Sequence, residues 1–350
     1  MTTREEADAS GARGRRRGRR KWLAIAAGVL AAVLVLGYAG ASYAVYDGLS
    51  AGKGGCWAAA RANTPEQFTV EAKWGPGLAQ AYEMPQPQDV TFHSRDAAIA
   101  NTPLAAWWIP ATGVPVASAP AVVVVHGIMS CRREASVLLA AGMLHKHGYS
   151  VFIMDMRNHG DSGFDADHRV ASGADEHLDI LGGWDWVRTQ GVPANRIGIT
   201  AFSFGSGVAV IAAGQEPAVQ AVWADSSYTT TQRAMGLFLQ DQTGLPDVLI
   251  PGVIVWGKVN GIDFTKYDPI TEVTHYTGRY LAFVHGADDP ALPAEMSTTL
   301  HDTAVAAGAH VADTWIVPGA RHTEAVYKDP AGYEARLVAF FGEALAHGAS

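Results

Sequence analysis

Three residue types that together perform nucleophilic catalysis stand just after separate apolar runs of this chain. Ser203 follows Ile197–Ala201, the pair Asp288-Asp289 follows Tyr280–Val284, and His322 follows Val311–Val317. A serine hydroxyl is a weak nucleophile until an imidazole takes its proton. That imidazole needs a carboxylate to fix its tautomer and stabilise its charged form. The tetrahedral intermediate of such a reaction needs N–H donors aimed at its oxyanion. The turn after Ser203 offers the Phe204 N–H, and the turn after His126-Gly127 offers that of Ile128 or Met129. Asp288 and Asp289 are neighbours, so only one can face His322. Asp225, after the run Val219–Ala224, is a weaker alternate acid.

The same positions admit other chemistry. Ser203 alone could simply cap the helix that follows, a role serine favours. Gly205-Ser206-Gly207 follows a strand-like run, and Asp225 lies about 20 residues on, as in a dinucleotide-binding loop. Against that, Val210 stands where close helix packing asks for Gly or Ala, and the motif lies far down the chain. Gly160-Asp161-Ser162-Gly163 looks like a protease signature but follows a buried strand, so Ser162 is read as loop structure. His126, His159 and His285 are read as loop-holding side chains. No Cys/His spacing has the form of a metal site, and no cofactor is expected. Cys56 and Cys131 could pair outside the cell, or remain buried thiols.

These residues need a scaffold that brings strand ends together. Val90–His93 and Leu104–Ile109 read as a hairpin, and Ala121–Val125 as a strand buried on both faces. Strands then alternate with helices: Arg132–His147, Tyr149–Asp155, His177–Thr189, Ile197–Ala201, Gly207–Ala213, Val219–Ala224, Tyr280–Val284, Glu295–Ala307, Val311–Val317 and Ala331–Ala346. This alternation predicts an α/β fold with a mostly parallel, eight-stranded, doubly wound sheet. Residues 228–275 are too long and too apolar for a plain crossover, and read as a small helical, lid-like insertion.

The N-terminus is of a different kind. Residues 1–21 hold eight Lys/Arg and three acids, and a body of net charge −13 follows in a chain of −8 overall. An acidic body argues against a nucleic-acid surface, and no nucleic-acid partner is expected. Trp22–Val45 carries no charge, enough for a helix of roughly 36 Å that spans a bilayer with some tilt. The division expected is a basic cytoplasmic tail over 1–21, a transmembrane helix or signal anchor over 22–45, a juxtamembrane connector over 46–85 and one domain over 86–350. The basic side should stay cytoplasmic and the domain lie outside. Cleavage after Ser42-Tyr43-Ala44, with secretion, is the alternative, and Arg19-Arg20-Lys21-Trp22-Leu23 also has the look of a twin-arginine signal.

Five motifs in order carry a family likeness: His126-Gly127; Asp155-Met156-Arg157-Asn158-His159-Gly160-Asp161-Ser162; Ala201-Phe202-Ser203-Phe204-Gly205; His285-Gly286-Ala287-Asp288-Asp289 through Pro293; and Gly319-Ala320-Arg321-His322. From about residue 88 onward the chain resembles the α/β-hydrolase superfamily, in particular membrane-anchored serine hydrolases. The resemblance implies Ser203 as nucleophile, His322 as base and Asp289 as acid, with Ile128 and Phe204 as oxyanion donors. The ordered serine, acid and histidine point to cleavage of ester or thioester bonds through an acyl-enzyme, and the apolar insertion over 228–275 points to an apolar or acyl-chain small molecule as substrate. Amide cleavage or acyl transfer is the runner-up, and a non-catalytic membrane-tethered binding module a remote third. The one departure is Ala201, where the G-x-S-x-G pattern has glycine. A single methyl should be tolerated there, because the elbow needs only small residues two before and two after the serine.

Overall fold

The computed structural model describes residues 19–346 apart from 53 and 76. The basic tail expected over 1–21 thus lies, save its last three residues, outside the described residues. The first helix, α1, is described over Arg19–Ser50 and leaves its apolar window unburied by the protein. One such helix near an N-terminus suits a membrane anchor or a signal sequence.

The sheet is built from β1 (Gln88–Phe92), β2 (Leu104–Ile109), β3 (Ala121–Val125), β4 (Ser150–Met154), β5 (Ile197–Phe202), β6 (Ala221–Asp225), β7 (Tyr280–Gly286), β8 (His310–Val311) and β9 (Trp315–Val317). Its order is β1-β2-β4-β3-β5-β6-β7-β8, with β9 also on β7. The β1–β2 and β2–β4 pairs are antiparallel; every later pair is parallel. The run expected as one strand over Val311–Val317 is two pieces. Between the pairs Leu281↔Val311 and Val284↔Trp315 the edge strand advances four residues against three on β7. That extra residue is a bulge, the usual way an edge strand breaks its ladder.

Strand periodicity divides the core. Val123 and Val125 pack with helices α3 (His177–Thr189), α4 (Phe204–Gln215) and α7 (Glu295–Ala306) on one face. Val122 and Val124 pack with α2 (Ala135–Lys146) and α8 (Pro330–Ala346) on the other. Successive side chains of a strand point to opposite faces, so a sheet covered on both sides needs a continuous β-branched run. Ala121–Val125 supplies one, and all five residues are fully buried.

The expected insertion contains α5 (Thr231–Thr243), capped at its start by the Thr230 hydroxyl, and α6 (Ile250–Val259). The segment expected as a connector is more than one. Phe68, Ala79, Tyr82 and Met84 are buried in the core layer beneath α2 and α8. Cys56 and Cys131 form a disulfide, their Cα atoms 5.3 Å apart, which ties this segment to the loop after β3. Sequence had left that pairing open.

Candidate active site

The chain leaves β3 toward β4 on one side and returns to β5 on the other. Where strand order diverges in this way, a crevice opens at the carboxyl ends of the strands. Gly127 lies just past one of these ends and Ser203 at the other. A Cβ on Gly127 would stand 3.3 Å from the Ser203 Cβ, a tighter approach than most side chains make, and glycine leaves that pass open. On Gly205 a Cβ would run into the His126 carbonyl oxygen. Ala201 is fully buried between Val125 and Ala224 of the flanking strands, and its methyl is accommodated.

Ser203 joins β5 to α4 with φ 53° and ψ −124°. A non-glycine residue held there stores about 1–3 kcal/mol and persists only when its surroundings impose it. Here the Ser203 N–H donates to the Asp225 carbonyl at 2.8 Å, and its own carbonyl accepts from the Ser206 N–H at 2.9 Å and the Ser206 hydroxyl at 2.6 Å. The turn pushes Oγ out into the crevice.

His322 lies past β9 and is brought to the serine, with Nε2 2.7 Å from Ser203 Oγ and Nδ1 2.7 Å from Asp289 Oδ2. An ionised carboxylate has no proton to give, so Nδ1–H donates to it and Nε2 is left to accept from the serine. Asp289 is wholly buried at its side chain. Its Oδ1 accepts from the Ala291 and Leu292 N–H groups at 2.8 and 2.9 Å. Burial pushes its carboxyl up, but hydrogen bonds from His285 and His322 outweigh that and hold it well below the usual carboxylate range. His285 does more than hold its loop, the role expected of it. Its Nε2–H is shared between the Leu292 carbonyl at 2.9 Å and Asp289 Oδ2 at 3.1 Å, while Nδ1 accepts from the Ser297 hydroxyl at 2.7 Å. His285 therefore orients the acid.

Asp225 is not paired with His322. Its Oδ1 accepts from the Ser226 hydroxyl, which in turn accepts from the Thr323 N–H at 3.1 Å and so steadies the backbone beside His322. Burial raises the Asp225 carboxyl to about 6. Asp288, the other half of the acidic pair, donates its backbone N–H to the Ala320 carbonyl at 2.9 Å, while Asp289 takes the histidine.

Ile128 and Phe204 line the same cavity as Ser203. Neither of their backbone N–H groups has an acceptor among the described residues. Met129 beside them takes φ 52°. This loop is braced by a residue that sequence reasoning passed over. The guanidinium of Arg132 meets Asp155 and Asp161, and its N–H donates to Asp155 at 2.6 Å. Arg132 and Asp155 are both buried. The D-x-R-x-H-G-x-S run is thereby explained: Asp155 holds the loop after β3, Arg157 is buried against Asp179 and Asp96, and the Ser162 hydroxyl bridges the Asp155 carbonyl and the Ala105 N–H. His126 accepts from the Met156 N–H, and burial together with the neighbouring His159 lowers it to about 3. Such a ring stays neutral and structural.

The cavity over Ser203 and His322 measures about 760 Å³, within the range of small-molecule sites. Its walls are largely apolar, with Phe202, Met235, Phe238 and Leu292 among them. Trp57 and Trp74 of the supposed connector and Leu49 at the end of α1 also reach it, which the sequence did not signal beyond two tryptophans in a presumed linker. Among the described residues, no group of three His, Cys, Asp or Glu is placed to hold a metal ion.

Known proteins agree with this architecture. A family model for the alpha/beta hydrolase fold matches residues 120–249. No curated protein matches in sequence. An esterase of Pyrococcus furiosus superposes with TM-score 0.58 at 22% identity, covering 74% of this chain and 92% of that one. An acylaminoacyl peptidase of Pyrococcus horikoshii gives 0.54 at 19%, covering 74% and 41%. Est1E of Butyrivibrio proteoclasticus, solved with ferulic acid, gives 0.57 at 18%, covering 73% and 100%. At these identities the likeness is one of fold. The family model over 120–249 and the sheet topology together give this chain the α/β-hydrolase fold.

Proposed function

We propose that this hydrolase is a serine esterase or thioesterase acting through an acyl-enzyme on Ser203. The observation that carries the reading is the unbroken chain from Ser203 Oγ through His322 to Asp289, with both links at 2.7 Å. As Oγ attacks the substrate carbonyl, Nε2 takes its proton and the buried carboxylate stabilises the imidazolium. The free N–H groups of Ile128 and Phe204 receive the oxyanion; the second also lies at the N-terminus of α4, where the helix dipole favours negative charge. His322 then protonates the leaving alcohol or thiol, and a water activated by the same nitrogen releases the acid.

The apolar cavity favours an acyl chain or other greasy group as the substrate's bulk. Amide cleavage and acyl transfer use the same residues, and a substrate panel separates them. Nitrophenyl esters of increasing chain length should be turned over, and matched anilides hardly at all. Equal turnover of the anilides would favour the peptidase reading, and activity surviving in Ser203→Ala would overturn the assignment of the nucleophile.

The same reading puts α1 in the cell membrane, uncleaved, with its basic end cytoplasmic and the hydrolase domain outside. Support comes from the Cys56–Cys131 disulfide, which suits an oxidising compartment. It also comes from α1 residues upstream of the possible cleavage point, since Tyr38, Ala39 and Ser42 pack on α6.

A further inference from the structure

Eight large hydrophobic residues outside α1 are exposed among the described residues, and four of them, Leu245, Val248, Val255 and Val259, fall in one stretch of the insertion. Val248, Val255 and Val259 are 60%, 61% and 68% exposed. Pro251 is exposed as well. At about 100° per residue, Pro251, Val255 and Val259 share one stripe of α6 roughly 80° wide, with Val248 one turn before it. The opposite side of α6 is occupied, because Ile250, Val253 and Gly257 are buried against Tyr46 and Phe264. Scattered surface hydrophobics need no explanation; a contiguous stripe on a helix does.

A third sector of α6 lies on α1, and this fixes where the stripe sits. The Tyr38 hydroxyl donates to the Val248 carbonyl at 2.9 Å and accepts from the Gly252 N–H at 3.1 Å. Trp256 Nε1–H donates to the Ala39 carbonyl at 2.9 Å and its ring meets Tyr43 edge-on at 5.0 Å. A Cβ on Gly252 would stand 2.5 Å from the Ser42 Cβ, so the two helices touch through glycine. The hydrocarbon core of a bilayer is about 30 Å thick and takes about 20 helical residues. Counted from Trp22, just after the Arg19-Arg20-Lys21 cluster, it ends near residue 41. The residues of α1 that grip α6 are 38, 39, 42 and 43, at the outer boundary. Tyr38, Tyr43 and Trp256 are the aromatic types that collect at that level. Lys258 and Asp247 lie on the polar flank of the stripe, away from α1.

We propose that α6 is a second membrane contact, lying in the outer interface beside α1 with Val248, Pro251, Val255 and Val259 immersed in lipid. The proposal rests on α1 being an uncleaved anchor. It has a consequence for the site. Leu49, which lines the cavity, is about eight residues beyond the hydrocarbon edge, so the cavity stands on the order of 10 Å above the acyl chains. Substrate bulk can then pass from the bilayer along α5 and α6 without crossing water.

The test uses the full-length protein in vesicles of phosphatidylcholine with phosphatidylglycerol. Nitroxide labels go on Val255→Cys and Val259→Cys, with Val33→Cys in α1 and Val114→Cys at the far end of the sheet as references. The two native cysteines are tied in their disulfide. Relaxation by oxygen, which concentrates in lipid, is compared with relaxation by a water-soluble nickel chelate. Oxygen should dominate at positions 33, 255 and 259, and nickel at 114. Nickel dominating at 255 and 259 while oxygen dominates at 33 overturns the second contact and leaves the anchor standing. Nickel dominating at 33 as well removes the anchor, and the proposal with it. Unchanged turnover of a water-soluble ester by each labelled protein shows that it is folded.

Discussion

Gly205→Ala is the substitution whose effect follows most directly from the geometry of the elbow. The new methyl would run into the His126 carbonyl oxygen, with the His126 carbonyl carbon and Val125 Cγ1 each at 3.1 Å. Val125 ends β3 and His126 follows it, both fully buried, so neither can swing aside as a surface side chain would. Relief requires the backbone of 126–128 and the start of α4 to part by on the order of 1 Å. That displacement moves the two proposed oxyanion donors, Ile128 and Phe204, relative to one another. A misplacement of about 1 Å costs roughly 10²-fold, and loss of one oxyanion donor about 10²–10³-fold. The expected fall in kcat is therefore about 10²–10³-fold, or about 3–4 kcal/mol in the barrier. Overpacking should also lower stability by about 1–3 kcal/mol. Ester turnover is measured per active site titrated with a fluorophosphonate, which removes any contribution from unfolded protein. The contrast is Ala201→Gly, which relieves nothing and should leave kcat within about threefold while costing up to about 1 kcal/mol of stability. A Gly205→Ala enzyme with kcat within about threefold of the parent would refute the reasoning, because the approach of helix to strand would then not govern the site.

Further outcomes follow from the same arrangement. Ser203→Gly and Ser203→Ala should both be inactive, yet the glycine variant should be more stable by about 1 kcal/mol in urea unfolding, because only glycine is at ease at φ 53°. Asp289→Asn should lower kcat by about 10⁴-fold, since an amide leaves His322 in the wrong tautomer. The depressed carboxyl of Asp289 contributes stability that is present above its unfolded value of about 4 and lost as pH falls toward its folded value. The stability gap between parent and Asp289→Asn should thus hold steady from about pH 8 to pH 5 and narrow below about pH 4. Reduction of Cys56–Cys131, or Cys56→Ser with Cys131→Ser, opens a loop of 75 residues and should cost about 4 kcal/mol by chain entropy. An unchanged melting temperature on reduction would contradict that.

Much of the scaffold was legible because its signals are local. A run such as Ala121–Val125 can only be satisfied by burial on both faces, and the alternation of such runs with helices fixes a parallel sheet. The residues brought together at Ser203 were legible for a related reason: a parallel sheet gathers whatever follows its strands at one end. Ala201 blurs the motif as text but not as packing, since the serine's strain is imposed by bonds to Asp225 and Ser206 rather than by a particular residue two positions earlier. What stayed hidden depends on contacts between distant segments. Nothing in the spacing of Cys56 and Cys131 shows that they meet. Nothing in the sequence singles out Arg132 until Asp155 is seen beside it, and His285 reads as a loop histidine until Asp289 is seen against it. Residues 46–85 read as a connector because no sustained strand or helix period runs through them, although Phe68, Ala79, Tyr82 and Met84 complete the core. The bulge between β8 and β9 is a matter of register, set by β7 and not by the edge strand itself.

If Ser203 is the nucleophile, a fluorophosphonate must label the full-length protein there, which intact mass and peptide mapping read out. One adduct per chain is predicted, on the peptide that contains Ser203. It should be absent from Ser203→Ala and strongly slowed in His322→Ala. A folded protein that takes no label, or a Ser203→Ala variant labelled as readily as the parent, would contradict the account.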